Sequence, residues 1–371
     1  MTKVVLSNAV VLEGEDLEPV ETNIVVRDGK IERIDKAASL KGINLKRSII
    51  MPPFVNSHTH ILDSIAAERY LGRTLDEVVG PSGEKFRALE LTSKEQLVKS
   101  AAATLRDMLA TGTLAHCTFC EKGRAGLSMI KSKVPVQIVL GRPVRNGDLS
   151  DVIGHADGIG LSSPVHHTKS ELRRIAEEVH RNGKILSMHI AEDGPCADLE
   201  FRDVLRLRPT FLVHGTHLTD AQLSELSKSE IPLVFCHRAN HVLGAGEPKL
   251  KKAMEAGVRF FIGTDNAMVC QPDMFCEVSF AWAHMRLNDP SCGPDEATAL
   301  LRSATLDPAA FFGLPWGSIE EGSKATFIIL ARKNNLRDVS DVRAGIVNRA
   351  RADNLREVYF NGKAQLKLQD V

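Results

Sequence analysis

From about residue 90 onward the apolar positions repeat in one order. An amphipathic helix is followed by a glycine stop and a short apolar strand that runs out into polar residues. QLVKSAAATLRDMLATG leads into TLAHCTFC, SELRRIAEEVHRNG into KILSMHIAE, and KLKKAMEAG into VRFFIGTDN. Leu172, Ile175 and Val179 recur at helical spacing, with Gly183 and Gly257 standing where helix terminators belong. Further apolar strands, VPVQIVLGR, GIGLSSP, TFLVHG and IPLVFC, lie between these units, and SIIMPPFV precedes residue 58 to make eight. Helices alternating with buried strands predict a parallel sheet. Eight such repeats within residues 51–316 have the length of a (β/α)8, TIM-like barrel.

The two ends of the chain carry a different pattern. Residues 1–50 alternate polar and apolar around a D-G turn, and residues 317–371 return to that alternation with an N-G turn. Neither end is large enough to stand alone, so the two are expected to pair into a small composite β-sandwich. The fold class is then α/β: a barrel over 51–316 and a sandwich from 1–50 plus 317–371.

Chemistry enters at MPPFVNSHTHILDS, residues 51–64. Side chains two apart share a face on a strand and diverge on a helix. After an apolar β-branched approach, His58 and His60 are therefore expected to project together from a strand end. Neutral imidazole is the commonest metal ligand, so the pair supplies half of a four-ligand site. Two histidines alone do not make a site, and exposed loop histidines are the plain alternative. The other strand ends decide: KILSMHIAE ends in His189 and Glu192, TFLVHGTH in His214, and VRFFIGTDN in Asp265. Singly, these could be satisfied core histidines and a helix cap. Together they bring four histidines and two carboxylates to the rim where barrels of this kind carry their chemistry.

Bulk properties narrow the partners. The 371 residues carry 47 basic and 47 acidic side chains, which leaves no electrostatic footprint for nucleic acid or an anionic membrane. The apolar runs are too short to span a bilayer, and Met1–Gly14 lacks a basic start and a cleavage site. Seven scattered cysteines outline no disulfide framework, so a cytoplasmic protein is expected. Cys117 and Cys120 form a lone C-x-x-C on a strand, where the two point to opposite faces and do not suit zinc.

MPPFVNSHTH, HIAE, VHGTHLTD, CHRAN, FFIGTDN, DMFCE and the closing ATLDPAAFFGL with GSIEEGSKATFIIL span nearly the whole chain. In this order they resemble the amidohydrolase superfamily, in the branch of cytosine, guanine and adenosine-type deaminases and related chlorohydrolases. The resemblance implies that His58, His60, His189 and Asp265 hold one divalent ion, zinc or iron. It also implies that Glu192, His214 and Asp265 carry the proton transfers, and that the substrate is a small amino-substituted nitrogen heterocycle. Hydrolysis of a cyclic amide or a carbon–halogen bond is the alternative for the same site, and a non-catalytic binding protein is the rival outside enzymes. Two-metal relatives use a modified lysine at the end of strand four. GIGLSSPVHH has none, which favours one ion. LSSPV stands where adenosyl-deaminating relatives commonly have P-H-S-P-Y, which leaves the heterocycle open. Glu121, Arg142, His166 and Asn240 are candidate substrate contacts because each follows a strand end. GPSGEK within 76–87 has the composition of a loop or lid. Homodimers occur in the superfamily, although no residue here demonstrates one.

Overall fold

The computed structural model describes residues 3–36, 41–130, 132, 135–144 and 148–367. They form two compact units, one of Met1–Val55, Met108–Leu114 and Asp273–Val371, the other of Asn56–Asp107 and Ala115–Pro272.

The first unit opens with β1 (Lys3–Glu13), β2 (Glu18–Arg27), β3 (Lys30–Asp35), β4 (Ile43–Asn44) and β5 (Ile49–Met51). β1, β2 and β3 form an antiparallel meander, and β5 lies parallel to β1. Asp28 and Gly29 both take positive φ, 49° and 82°, as the tight turn of a right-twisted hairpin requires.

The second unit is built on β6 (Phe54–His60), β7 (Thr113–Cys120), β8 (Val136–Gly141), β9 (Gly158–Leu161), β10 (Ile185–Ile190), β11 (Phe211–His214), β12 (Leu233–Phe235), β13 (Phe260–Ile262) and β14 (Asp265–Asn266). Neighbours pair in parallel and in sequence order, and β14 returns to pair with β6. β13 and β14 are two halves of one strand interrupted at Gly263–Thr264, so the path of strands closes on its start as in a (β/α)8 barrel. Residues of these strands are buried on both faces, the condition that makes parallel strands continuously apolar. Helices return the chain between them. Lys169–Arg181 buries Leu172, Ile175 and Val179 and begins with a capping box at Thr168; Asp220–Ser229 begins with another at Thr219.

The apolar run SIIMPPFV is not one strand, as its pattern predicts, but two. Proline has no N–H to give a ladder, and Pro52–Pro53 divides the run. Ile49–Met51 pairs with the terminal strands, while Phe54–His60 enters the barrel.

The chain ends with β15 (Phe327–Leu330), β16 (Leu355–Phe360) and β17 (Lys363–Lys367), which extend the opening sheet through β5. Both termini thus contribute to one continuous hydrogen-bonded sheet, in the order β17-β16-β15-β5-β1-β2-β3 with β4 on β1. Leu6, Ile24, Ile31, Ile50, Phe327 and Tyr359 share its apolar core. The two hairpin turns foreseen from D-G and N-G meet: a Cβ on Gly362 would fall 2.6 Å from Gly29 Cα, so only glycine fits.

Candidate metal centre

The pairing of β14 with β6 sets Asp265 opposite Thr59, between His58 and His60. Asp265 Oδ1 lies 3.2 Å from His58 Nε2 and 3.5 Å from His60 Nε2. Across the barrel, β10 and β11 pair so that Ile190 faces His214, and the rings of His189 and His214 stand edge to face at 4.7 Å. The His58 and His189 rings are 5.1 Å apart. Phe119 of β7 stacks on His189, with ring centres 5.2 Å apart. Glu192 Oε2 completes the group at 3.6 Å from His214 Nε2 and 3.7 Å from His189 Nδ1. His214 and Asp265 hold left-handed backbone, φ 72° and 59°, a strain that non-glycine residues keep only where surrounding structure enforces it.

Donor atoms of His58, His60 and Asp265 all fall within 4.8 Å of one another, as do those of His58, His189 and His214 and those of Glu192, His214 and Asp265. Buried polar atoms are nearly always hydrogen-bonded. Here His58 Nε2, His189 Nε2, His214 Nε2 and both Asp265 oxygens are buried without a hydrogen bond among the described residues. Orphaned imidazole nitrogens around an orphaned carboxylate are the donor set of a divalent ion, so the residues fit such a group. The electrostatics agree. Burial pushes the His58 imidazole down to about 3, and drives His189 well below the ordinary value, so both stay neutral with a free lone pair. Burial would raise the Asp265 carboxyl, but His58, His214 and His60 outweigh it and hold it well below the usual range. Glu192 goes the other way: burial raises its carboxyl although His214 opposes.

A cleft opens beside this group, lined in part by Lys85, Arg142, Ser162, His166, Glu192 and Asn266. Arg142 and His166, both expected as substrate contacts, thus line it. The Arg142 guanidinium lies 5.0 Å from the centre of the Phe86 ring. Glu121 and Asn240 are not among the lining residues. Each instead faces the outer nitrogen of a site histidine. Glu121 Oε1 is 2.7 Å from His60 Nδ1, and Asn240 Oδ1 is 3.0 Å from His214 Nδ1. Asn240 is itself held by a 2.5 Å bond to Thr216 Oγ1.

The stretch 76–87, loop-like in composition, is largely helical: Leu75–Val79 and Glu84–Leu91 flank a short turn, and Leu75, Asp76 and Val79 line the cleft. Thr74 caps the first of these helices with Glu77 in a capping box, which offsets the Gly/Pro content after it. Lys85 and Asp63, both buried, join the site unannounced by any motif. The one available sign was that Lys85 shares a helical stripe with Ala88 and Leu89, an odd place for an unpaired charge.

The family model described as "Amidohydrolase family" matches residues 49–364. The chain belongs to the amidohydrolase family. Membership makes it a hydrolase. This amidohydrolase is 29% identical to an uncharacterized protein of Methanocaldococcus jannaschii, over 91% of this chain and 93% of that one. It is 24% identical to a 5-methylthioadenosine/S-adenosylhomocysteine deaminase of Thermococcus sibiricus, over 97% and 93%. Among solved structures, an adenosine deaminase from Xanthomonas campestris with bound zinc shares the fold at a TM-score of 0.77 and 17% identity, covering 100% of this amidohydrolase and 94% of that chain. Among its own described residues, no helix is long and apolar enough to cross a membrane.

Proposed function

We propose that this amidohydrolase is a one-ion hydrolytic deaminase of an amino-substituted nitrogen heterocycle, a purine or pyrimidine base or nucleoside. His58, His60, His189 and Asp265 hold the ion, zinc in the first instance and iron as the alternative. A divalent ion there supplies the Lewis acidity that makes water nucleophilic near neutral pH.

The observation that carries the reading is Glu192. Its carboxyl lies at the meeting point of cleft and ligands, within 3.7 Å of His189 and His214, and burial raises its pKa. A carboxyl of that kind holds a proton and gives it to a ring nitrogen, so that water adds to the adjacent C=N carbon. Asp265, acidic and anionic, accepts the proton that water sheds. His214 orients the water, its own tautomer set by Asn240. Asp265 then gives the proton it took from water to the exocyclic nitrogen, the hydroxyl of the adduct gives its proton to Glu192, and ammonia leaves as the ring C=O forms. The deaminase names of the Thermococcus relative and the Xanthomonas neighbour support the same chemistry.

The test is ammonia release by zinc-loaded and iron-loaded protein across aminated purines, pyrimidines, pterins and triazines, with Glu192→Gln alongside. Release that vanishes in the variant is the expected result. No release from any compound, with one ion bound per chain, would move the reading to a cyclic amide or a carbon–halogen bond.

A further inference from the structure

Two buried side chains stand behind His60 and take no part in the proton transfers above. Glu121 Oε1 lies 2.7 Å from His60 Nδ1 and 2.5 Å from Lys85 Nζ, and Lys85 Nζ is 2.8 Å from the same ring nitrogen. A carboxylate this close to Nδ1 selects the tautomer with the proton on Nδ1, which donates to Glu121 and leaves the lone pair of Nε2 towards Asp265. In that tautomer the ammonium of Lys85 donates to Glu121, and its approach to Nδ1 is a contact between two donors, not a hydrogen bond. On its far side Lys85 Nζ is 3.7 Å from Asp63 Oδ2. Asp63 in turn accepts from Asn266 Nδ2 at 2.7 Å and from the Met268 amide at 3.1 Å. Asn266 follows Asp265 in the chain and lies opposite His60 in the β6–β14 register. One ammonium therefore sits where the ends of β6, β7 and β14 converge. His60, Asp63, Lys85 and Glu121 are each no more than 3% exposed.

A buried carboxylate without a counter-charge is costly. Glu121 alone behind His60 would relieve that cost by turning away from Nδ1, which would release the ring. Lys85, 2.5 Å from Glu121 Oε1, removes that escape. We infer that Lys85 is a positioning residue of the metal centre: its ammonium keeps Glu121 as the acceptor of His60 Nδ1–H and so keeps Nε2 facing the ion. The inference rests on the metal-binding part of the proposed function.

Two roles for a lysine at this place differ in sign. A cation acting only through space repels a divalent ion, so Lys85→Met would tighten zinc. A positioning cation does the reverse, and losing an outer partner of a ligand typically weakens affinity by about 10–100-fold. The experiment is zinc affinity of the full chain by competition with a chromophoric chelator, for wild type, Lys85→Met, Glu121→Gln and the double variant. Each single variant is expected to bind about 10–100-fold more weakly, with the double no weaker than the worse single, since the pair acts as a unit. Nitrogen-15 shifts of His60 in the zinc-loaded protein should report protonated Nδ1 in wild type and a mixture in Lys85→Met. Unchanged or tighter zinc in Lys85→Met, or strictly additive losses, would overturn the positioning role and leave the metal reading intact. If Lys85→Met does not fold, the near-isosteric Glu121→Gln decides, and wild-type affinity there overturns the inference. Failure of the wild-type chain to bind zinc would overturn the metal reading and this inference with it.

Discussion

Asn56 and Thr264 exchange two hydrogen bonds across the line where the barrel closes. Asn56 Nδ2 donates to Thr264 Oγ1 at 2.7 Å, and the Thr264 amide donates to Asn56 Oδ1 at 3.0 Å. Thr264 lies between β13 and β14, and the Asn56 side chain takes up its backbone amide there. Each partner is adjacent or nearly so to a proposed ligand: Asn56 is two residues before His58, and Thr264 is next to Asp265. The seam and the centre are one piece of geometry.

Asn56→Ala should therefore act twice. Leaving a buried amide N–H unsatisfied costs about 1–3 kcal/mol, readable as a lower urea midpoint with an unchanged slope. Zinc affinity should fall as well, because His58 and Asp265 lose the tie that sets their spacing. A variant with reduced stability and intact zinc affinity would separate seam from centre.

Glu192→Gln keeps the size of the side chain and removes its proton. Turnover should drop by about 10²–10⁴-fold, the usual worth of a general acid–base group. Zinc content by elemental analysis should stay at the wild-type level. Parallel loss of zinc would make Glu192 a ligand instead.

Chelation tests the donor set without any substrate. Saturating zinc at 100 times its dissociation constant contributes about 2.7 kcal/mol to the folded state. Wild type should thus melt lower after chelator treatment and recover on adding zinc. His58→Asn should show neither change, its melting point being the same with and without zinc.

His116, on β7, gives the expected dependence on pH. It is fully buried, its Nδ1 is 3.3 Å from Thr59 Oγ1, and burial lowers its pKa from 6.5 to about 4. In the folded chain the ring stays neutral, whereas the unfolded chain takes up a proton below 6.5. The contribution is present in full above 6.5 and is lost as pH falls from there through about 4, on the order of 3 kcal/mol in all. Urea unfolding of metal-free wild type against metal-free His116→Gln should show this slope in the difference. Parallel curves would count against it.

Much of the site could be read from linear spacing because strand geometry is local. H-T-H needs only the two-residue period of β6 to put two imidazoles on one face, and T-D-N needs only the strand's end to expose Asp265. The barrel followed from helix and strand periods, which are also local. What escaped depended on contacts between distant positions. Pro52–Pro53 could be seen, but not that the residues before and after it would join different sheets. Glu121 and Asn240 follow strand ends like the cleft residues Arg142 and Ser162. Only the packed structure turns their polar atoms onto His60 and His214. Lys85 lies on the buried stripe of a short helix, which hints at a partner without naming one, and its role depends on three strand ends meeting around it.

The placement of β5 has a consequence for biosynthesis. β1 is available to pair with Ile49–Met51 as soon as the first strands leave the ribosome, but the opposite edge of that short strand is covered only by β15, with Ile50 against Ile329. Until translation has passed the barrel, the nascent chain carries an apolar strand with a bare edge, the kind of surface that chaperones shield and that seeds aggregation. Translational stalling or truncation before residue 327 should therefore yield insoluble product even when every residue of the proposed metal centre has been made.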